Sequence, residues 1–427
     1  MDERKKKIGF KLVFFSVALL PAFQVLFIIG CNSNYLIRMP FLFAISGICV
    51  LLLIGLLYGV KIFVKNRYSN KRRLKKWIKV VLSVLMSFYI LGCVGLVTLL
   101  YGPNEKFKTW LITTAMQTKN HQYLCRWFYN DETIKQIMDN NYVIESGEST
   151  DASQINKEET QNYNEYEKQL LIHEKGELYK AITFEVNGAK AYLAAVFDPS
   201  KVKLEVTKQI GVLGEYVTEM MRRNNAIIGI NAGGFVDLGY NAGEFPTGIT
   251  IKNGEIITND TYGKSVGGIV GFTYDDILVL LKDTTAEEAL KLGVRDAVTW
   301  GPFLIVNGVP SQVSGNGGFG GGARTAIGQR KDGTVLLLVV DSNASRTNGA
   351  GMEDLVEIMQ RYGAYNATNL DGGTSSVMDF RRDIAISEFN ADCHDYFSSY
   401  ACHVNDPIDA LRIHRTRYIS DAWIVVE

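Results

Sequence analysis

A run of small polar residues near the C-terminal end of the sequence has the composition of a catalytic or binding loop. Residues Ala367–Phe380 read ATNLDGGTSSVMDF: a β-prone run ends at Asp371, and two glycines and three hydroxyl side chains follow. The glycines allow the backbone to take positive φ and to approach a ligand closely. Because Asp-Gly-Gly is also a common turn signal, this stretch alone does not distinguish a site from a connection.

Four further motifs in the same half of the chain place small or polar residues beside apolar, strand-like runs. They are Asn231–Phe235 (NAGGF), Gly301–Gly308 (GPFLIVNG), Arg324–Gly328 (RTAIG) and Asp341–Asn343 (DSN). Their order and combination with NLDGGTSS resembles the phosphodiester glycosidase family over about residues 180–427. The resemblance implies an enzyme that releases a sugar from a sugar phosphodiester. Bacterial members of the family are associated with exopolysaccharides and are often attached to membranes.

The chemistry of a glycosyl phosphodiester assigns roles to these residues. Such a substrate requires a cation at its phosphate and carboxylates near the anomeric carbon as it becomes oxocarbenium-like. We expect Arg324 to bind phosphate, and Asp341 and Asp371 to act as the carboxylates, one as nucleophile or base and the other orienting or protonating. Asn231 and Asn369 are expected to bond sugar hydroxyls. The expected substrate-binding residues are Asn231, Gly233, Gly234, Glu244, Asn369, Gly372, Gly373, Thr374, Ser375 and Ser376.

Two features of this region have competing interpretations. Glu244 lies in a loop, where a solvated carboxylate is the ordinary alternative to a substrate contact. The segment Gly315–Gly322 has six glycines in eight residues. It is either a loop that closes over substrate or binds an anion through its N–H groups, or an ordinary flexible connection.

No cofactor is expected. The sequence has no Gly-x-Ser-x-Gly elbow, no Walker loop and no His-Glu-x-x-His helix. The pairs Cys393-His394 and Cys402-His403 do not match the usual spacing of zinc ligands. Outside the cell membrane, a disulfide between Cys393 and Cys402 is favoured over a metal site. A divalent cation at Asp341 or Asp371 is left open.

The N-terminal part of the chain is predicted to lie in a membrane. Three apolar runs, Phe10–Gly30, Phe41–Val64 and Ile78–Tyr101, are each long enough to cross a bilayer as a helix. Residues 1–101 hold 15 Lys and Arg against 2 Asp and Glu, and the basic residues concentrate before the first run and at 65–79. The positive-inside rule therefore places the N-terminus in the cytoplasm and everything after Tyr101 outside. The basic cluster is interpreted as membrane-proximal, so no nucleic-acid partner is expected.

The rest of the sequence divides by composition. We predict a three-span anchor over 1–101, juxtamembrane amphipathic helices over 102–144, a polar solvated linker over 145–175 and the glycosidase-like domain over 176–427. Hairpin signals at Asn187-Gly188 and Asn253-Gly254, and the aliphatic run Val335–Val340, indicate strands. The predicted class is α+β, with a large mixed sheet and few helices, preceded by three transmembrane helices.

These observations predict a membrane-anchored, outward-facing glycosidase acting on sugar-1-phosphodiester linkages of a surface glycan or exopolysaccharide. Its partners would be that glycan and the lipid bilayer; the sequence does not determine an oligomeric state. One alternative is a non-catalytic glycan-binding or scaffold protein in exopolysaccharide assembly. Another is a metal-dependent phosphodiesterase that cleaves the phosphorus side of the same linkage.

Overall fold

The structure is a computed structural model of the 427-residue chain. It describes residues 11, 87, 91–92, 94–117, 122–155, 162–236, 242–259, 267–342, 349–393, 399–407 and 416–427. The chain divides into two compact units, Met1–Asn140 and Asn141–Glu427.

The first unit contains three described helices after residue 104. They are α1 (Glu105–Gln117), α2 (Tyr123–Arg126) and α3 (Asp131–Asp139), and they lie within the segment 102–144. Their apolar faces bury Ile112, Cys125 and Ile134 in one cluster. In the described parts of the chain, no helix combines the length and apolar character needed to cross a membrane. Apart from Lys11, the predicted spans Phe10–Gly30 and Phe41–Val64 lie outside the described residues, as does much of the third.

The second unit is built from strands, with five short α-helices in the part that the structure describes. Its strands are β1 (Tyr142–Ile144), β2 (Tyr179–Val186), β3 (Ala189–Val196), β4 (Val202–Val206), β5 (Ala226–Asn231), β6 (Phe235–Val236), β7 (Phe245–Pro246), β8 (Ile249–Lys252), β9 (Glu255–Asn259), β10 (Gly268–Thr273), β11 (Leu278–Leu281), β12 (Val294–Trp300), β13 (Phe303–Val306), β14 (Val309–Pro310), β15 (Gln312–Ser314), β16 (Arg324–Arg330), β17 (Val335–Val340), β18 (Ala364–Asn369), β19 (Met378–Arg381), β20 (Ala401–His403) and β21 (Asp421–Val426). Its described helices are α4 (Glu165–Leu171), α5 (Val217–Asn224), α6 (Ala286–Lys291), α7 (Met352–Arg361) and α8 (Arg382–Phe389).

Three sheets carry most of these strands. Their strand orders are β14-β13-β18-β16-β17-β3-β2, β20-β19-β5-β21-β4 and β11-β10-β12-β8-β9. The predicted α+β class is confirmed. The one large mixed sheet of the prediction is divided into three, and the adjacent strands that the structure describes pair antiparallel.

The core lies where the three sheets face one another. In β17, the side chains of Val335, Leu337 and Val339 pack in the cluster shared with the other two sheets. The alternate residues Leu336 and Leu338 pack under α7 instead. Because side chains alternate along a strand, both faces of β17 are buried, as its all-aliphatic sequence predicts.

The described part of segment 145–175 is not a solvated linker, and this prediction is wrong. Asn164 caps α4 in a reciprocal capping box with Glu167. Leu170 and Leu171 of α4 are buried, and Glu167 forms an ion pair with the buried Arg330 of β16. The polar residues of this segment therefore supply a helix cap and a buried ion pair, and the second unit begins at Asn141, not at 176.

The predicted disulfide between Cys393 and Cys402 is present. Both cysteines are buried, and Cys402 lies in β20, where it pairs with Phe380 of β19. The disulfide therefore ties the segment after α8 to the edge of the sheet that contains β5 and β21.

Candidate functional site

The sequence motifs converge where the ends of strands from two sheets meet. The Asp371 N–H donates to the carbonyl of Ala232 (3.1 Å), which links NLDGG to NAGGF. The Leu370 N–H donates to the carbonyl of Thr325 (2.8 Å), and that of Gly373 to Ala323 (2.9 Å), which adds the RTAIG strand. The fold thus brings three distant stretches into one loop cluster.

Asn231 joins these stretches through its side chain. It is the last residue of β5 and is buried. Its Nδ2 donates to the Asp371 carbonyl (2.7 Å), and its Oδ1 accepts from the Thr325 hydroxyl (2.7 Å) and the Val377 N–H (3.2 Å). Because its amide is used inside the protein, the structure gives Asn231 a framework role in place of the expected sugar contact.

Asn369 keeps one polar atom unused. Its Nδ2 donates to the Gly301 carbonyl (2.9 Å), which adds the GPF motif to the cluster. Its Oδ1 is buried and accepts no hydrogen bond from the described residues. The Ser376 hydroxyl and the Trp300 Nε1–H are also buried and have no hydrogen-bond partner among those residues. Buried polar atoms of this kind are normally satisfied, so three of them in one loop cluster indicate a place for a polar ligand.

Arg324, the first residue of β16, is enclosed by the glycine-rich loop. Its Nη2 donates to the carbonyls of Phe319 (3.0 Å) and Gly320 (2.8 Å), and its Nη1 to that of Ala323 (3.2 Å). Burial lowers the pKa of Arg324 to about 10, while the negative charge of Asp371 opposes that shift. The guanidinium stays charged, holds the loop and balances Asp371, and few of its donors are left for a phosphate.

Asp371 interacts electrostatically both with Arg324 and with a second carboxyl group that the sequence analysis missed, Asp421. Asp421 is the first residue of β21 and is 1% exposed. Its Oδ1 accepts from the Gly233 N–H (2.6 Å) and its Oδ2 from the Ser420 hydroxyl (2.7 Å). Burial, together with the negative charge of Asp371, raises the pKa of Asp421 to about 6 against the opposing effect of the two hydrogen bonds.

Asp341 lies in a separate buried environment at the end of β17. Its carboxylate accepts from Asn405 Nδ2 (2.8 Å) and from the Asp406 N–H (3.0 Å to Oδ2). Burial raises the pKa of Asp341 to about 6, although these hydrogen bonds oppose the shift. Asn405 Nδ2 also donates to the Ser376 carbonyl (3.2 Å), so Asp341 is connected to the Asp371 loop through Asn405.

The expected glycines are needed for close packing at different points. A Cβ on Gly234 would lie 1.8 Å from the ring of Trp300, and one on Gly233 would crowd Val298 and Asp421. Gly372 approaches the Arg324 guanidinium, whereas Gly373 has positive φ and open space beside it. Gly233 and Gly234 therefore permit a tight contact between NAGGF and the end of β12, and Gly373 shapes the turn.

The other expected residues differ in their exposure. Ser375 and Ser376 are buried, while Thr374 is half-buried and accepts from Arg417 Nη1 (3.4 Å). Glu244 is 4% exposed, so a solvated loop carboxylate is not what the structure shows. Its backbone carbonyl accepts from the Gly211 N–H (2.8 Å).

Arg417 is a second residue that the sequence analysis missed. It is half-buried, and its guanidinium lies over the ring of Phe235, 4.7 Å from the centroid. Together with the Thr374 contact, this places a cation between the NAGGF and DGGTSS motifs. The run Thr416–Asp421 carries no turn or glycine signal that would have selected Arg417 or Asp421.

A cavity of about 630 Å³ lies at the other end of β5 and β19, beside Tyr179, Ile227 and Arg381. None of the expected site residues lines it. Among the described residues, no group of three or more His, Cys, Asp or Glu side chains is arranged to hold a metal ion.

Residues 224–426 match the family model described as phosphodiester glycosidase. This part of the chain is therefore a domain of the phosphodiester glycosidase family. The match includes Asn231, Arg324, Asp371 and Asp421.

The chain is also similar to individual proteins. It is 28% identical over 168 residues to the SPbeta prophage-derived uncharacterized protein YomE of Bacillus subtilis (strain 168). The matched residues make up 38% of this chain. The match spans 25% of that relative's length.

Three solved structures are similar at low sequence identity. The zebrafish N-acetylglucosamine-1-phosphodiester alpha-N-acetylglucosaminidase catalytic domain, auto-inhibited by its pro-peptide, is 19% identical with a TM-score of 0.44, covering 60% of this chain and 85% of that one. A putative exported protein of Burkholderia pseudomallei is 16% identical with a TM-score of 0.35, covering 56% and 74%. A hypothetical protein from Synechocystis is 14% identical with a TM-score of 0.37, covering 58% and 62%.

Proposed function

We propose that this protein hydrolyses the glycosidic bond of sugar-1-phosphate diesters. The observation that carries the proposal is the setting of Asp371: Gly372 in its loop approaches the buried Arg324 guanidinium, and the Asp371 N–H bonds Ala232, next to Gly233, which bonds Asp421. The family match over 224–426 supports the same reaction class. A carboxylate held beside a second, proton-retaining carboxyl group is the pair that glycoside hydrolysis requires.

In the proposed mechanism, the Asp371 carboxylate acts at the anomeric carbon as nucleophile or base. Arg324 stabilises its negative charge from within the protein. Asp421 carries a proton below about pH 6 and orients or protonates, a role that the sequence analysis had expected from one of Asp341 and Asp371. Because a phosphate monoester is a good leaving group, the reaction makes only a small demand on the general acid.

Substrate contacts are proposed from the polar atoms that the fold leaves available. The Asn369 Oδ1 accepts a hydrogen bond from a sugar hydroxyl, and the Ser376 hydroxyl donates or accepts another. Arg417, beside Thr374, takes over the phosphate contact that the sequence had assigned to Arg324. Asp341 supports the loop through Asn405.

We also propose that the enzyme is anchored in the membrane with its catalytic domain outside the cytoplasm, where it acts on a surface glycan or exopolysaccharide. The proposal rests on the apolar runs and on the distribution of basic residues before Tyr101. The Cys393–Cys402 disulfide supports an oxidising compartment for the domain.

The test uses the full-length chain in detergent with a panel of sugar-1-phosphodiesters, N-acetylglucosamine first, followed by NMR. We expect release of free sugar that persists with chelator. Asp371→Asn should reduce kcat by about 10²-fold or more, while Asp275→Asn, at an exposed turn, should not change it.

The alternatives give different products. Release of sugar phosphate that stops on chelation would instead establish a metal-dependent phosphodiesterase. Binding of the glycan without turnover by any member of the panel would establish a scaffold protein.

A further inference from the structure

The segment 141–155, which we call the strap, lies outside the family match and yet contacts the framework of the candidate site. It is the first stretch of the second unit. Its β1 pairs antiparallel with β15, so that Tyr142 is opposite Ser314 and Ile144 opposite Gln312. β15 leads directly into the glycine-rich loop that encloses Arg324.

One set of contacts connects the strap to Arg324. The Asn141 Oδ1 accepts from the Asn316 N–H in the glycine-rich loop (2.9 Å). The Asn316 side chain in turn accepts from the Gly318 N–H (3.0 Å). The next two loop residues, Phe319 and Gly320, supply carbonyls to Arg324. The position of the Phe319 and Gly320 carbonyls that bind Arg324 therefore depends on where the strap holds Asn316.

A second set of contacts connects the strap to Asp371. The Glu145 Oε1 accepts from the Phe303 N–H (2.9 Å), while its Oε2 pairs with Lys282 (3.0 Å). The preceding residue, Pro302, accepts from the Asn369 N–H through its carbonyl (3.1 Å). Asn369 lies two residues before Asp371, so Glu145 holds the turn against which the catalytic loop is placed.

The end of the strap fastens it to two sheets. The Thr150 N–H donates to the Leu280 carbonyl (3.1 Å), and the Thr150 hydroxyl accepts from the Leu280 N–H (2.9 Å). This covers part of the edge of β11. The Asp151 N–H donates to the Asn307 side chain (2.8 Å), which follows β13 of the seven-stranded sheet. The strap is thus held at both ends and has little freedom of its own.

We propose that the strap is a positioning element of the active site, with Asn141 placing the Arg324 loop and Glu145 placing the turn beneath Asn369 and Asp371. The inference rests on the proposed function for its kinetic consequence, but its structural consequence does not depend on that function. A catalytic group displaced by about 1 Å loses on the order of 10²-fold in rate, so small shifts of this framework are measurable.

The experiment compares Asn141→Ala, Glu145→Ala and Glu145→Gln in the full chain, with Glu148→Ala as the matched control. Glu148 is exposed in the same segment. Hydrogen–deuterium exchange reports on the loop Gly315–Gly322, and kcat, KM and thermal midpoint are measured alongside. Glu145→Gln retains an acceptor for the Phe303 N–H and loses the ion pair with Lys282.

We expect Asn141→Ala to speed exchange of the glycine-rich loop, and Asn141→Ala and Glu145→Ala to lower kcat on the order of 10-fold with KM changed less than about 2-fold. Glu145→Gln should restore most of kcat.

The proposal would be overturned if amide exchange in Gly315–Gly322 were the same in Asn141→Ala as in Glu148→Ala. A fall in thermal midpoint with unchanged kcat would also overturn it. If Glu145→Ala does not fold, Asn141→Ala decides the outcome. If the wild-type chain turns over no phosphodiester, the proposed function fails, and loop exchange still tests the strap.

Discussion

The side-chain amide of Asn231 donates to the backbone carbonyl of Asp371 over 2.7 Å, although 140 residues separate the two in the sequence. The same amide accepts from Thr325 and Val377, so one buried side chain holds together the ends of β5, β16 and the Asp-Gly-Gly turn. The carboxylate of Asp371 is therefore placed by a rigid framework, and the residue that places it is not itself exposed to a ligand.

Replacing Asn231 should affect stability first. In Asn231→Ala, the Thr325 hydroxyl, the Val377 N–H and the Asp371 carbonyl lose buried partners, and we expect the free energy of unfolding to fall by about 3 kcal/mol. Thermal unfolding of the full chain measures this. Asn259→Ala, at the exposed end of β9, is the control and should change it by less than about 0.5 kcal/mol. Unchanged stability with a raised KM would restore the sugar-binding role for Asn231.

Stability should depend on pH through Asp421 and Asp341. Burial raises the pKa of each from 3.8 to about 6 in the folded protein, so the folded state binds protons more tightly than the unfolded state. Their stabilising contribution is full below about pH 4 and is lost as pH rises through 6, by up to roughly 3 kcal/mol for each group.

Asp421→Asn isolates one of these contributions. The variant keeps an acceptor for the Gly233 N–H but cannot ionise. We expect the thermal midpoint of this variant to fall about half as much as that of the wild type between pH 4 and pH 7, because Asp341 still titrates. A fall equal to that of the wild type would show that Asp421 does not retain its proton in the folded protein.

Arg324→Lys tests whether the guanidinium holds the glycine-rich loop. A lysine ammonium cannot reproduce the planar fork that donates to Phe319, Gly320 and Ala323. We expect kcat to fall by about 10-fold or more and amide exchange in Gly315–Gly322 to accelerate. Arg222→Lys, at an exposed helix position, should alter neither. If the variant instead raises KM alone and leaves loop exchange unchanged, Arg324 is the phosphate ligand.

Arg417→Gln tests the phosphate contact. Removing the charge beside Thr374 should weaken substrate binding, so we expect KM for a phosphodiester to rise by about 10-fold while kcat changes by less than about 3-fold. Steady-state kinetics on the full chain measures both parameters. Arg361→Gln, on the surface of α7, is the control. A wild-type KM in Arg417→Gln would remove this residue from the site.

Local sequence signals predicted the elements that depend on neighbouring residues. The Asn187-Gly188 turn joins β2 to β3 with both residues at positive φ, as an Asn-Gly hairpin requires. Val335–Val340 forms a strand buried on both faces. In α4, by contrast, Asn164 and Glu167 form a capping box within a stretch whose polar composition had predicted a linker.

The sequence by itself determined the α+β class, the hairpins, the disulfide and the set of motifs from which the candidate site is built, because each depends on residue type and short spacing. Only the tertiary structure decided which side chains meet there. Asp421 reaches Gly233 across 188 residues, and the strap reaches the glycine-rich loop across 175. Such pairs are set by the strand order and register of whole sheets, which bring distant backbone together and bury it, and no local pattern encodes that proximity.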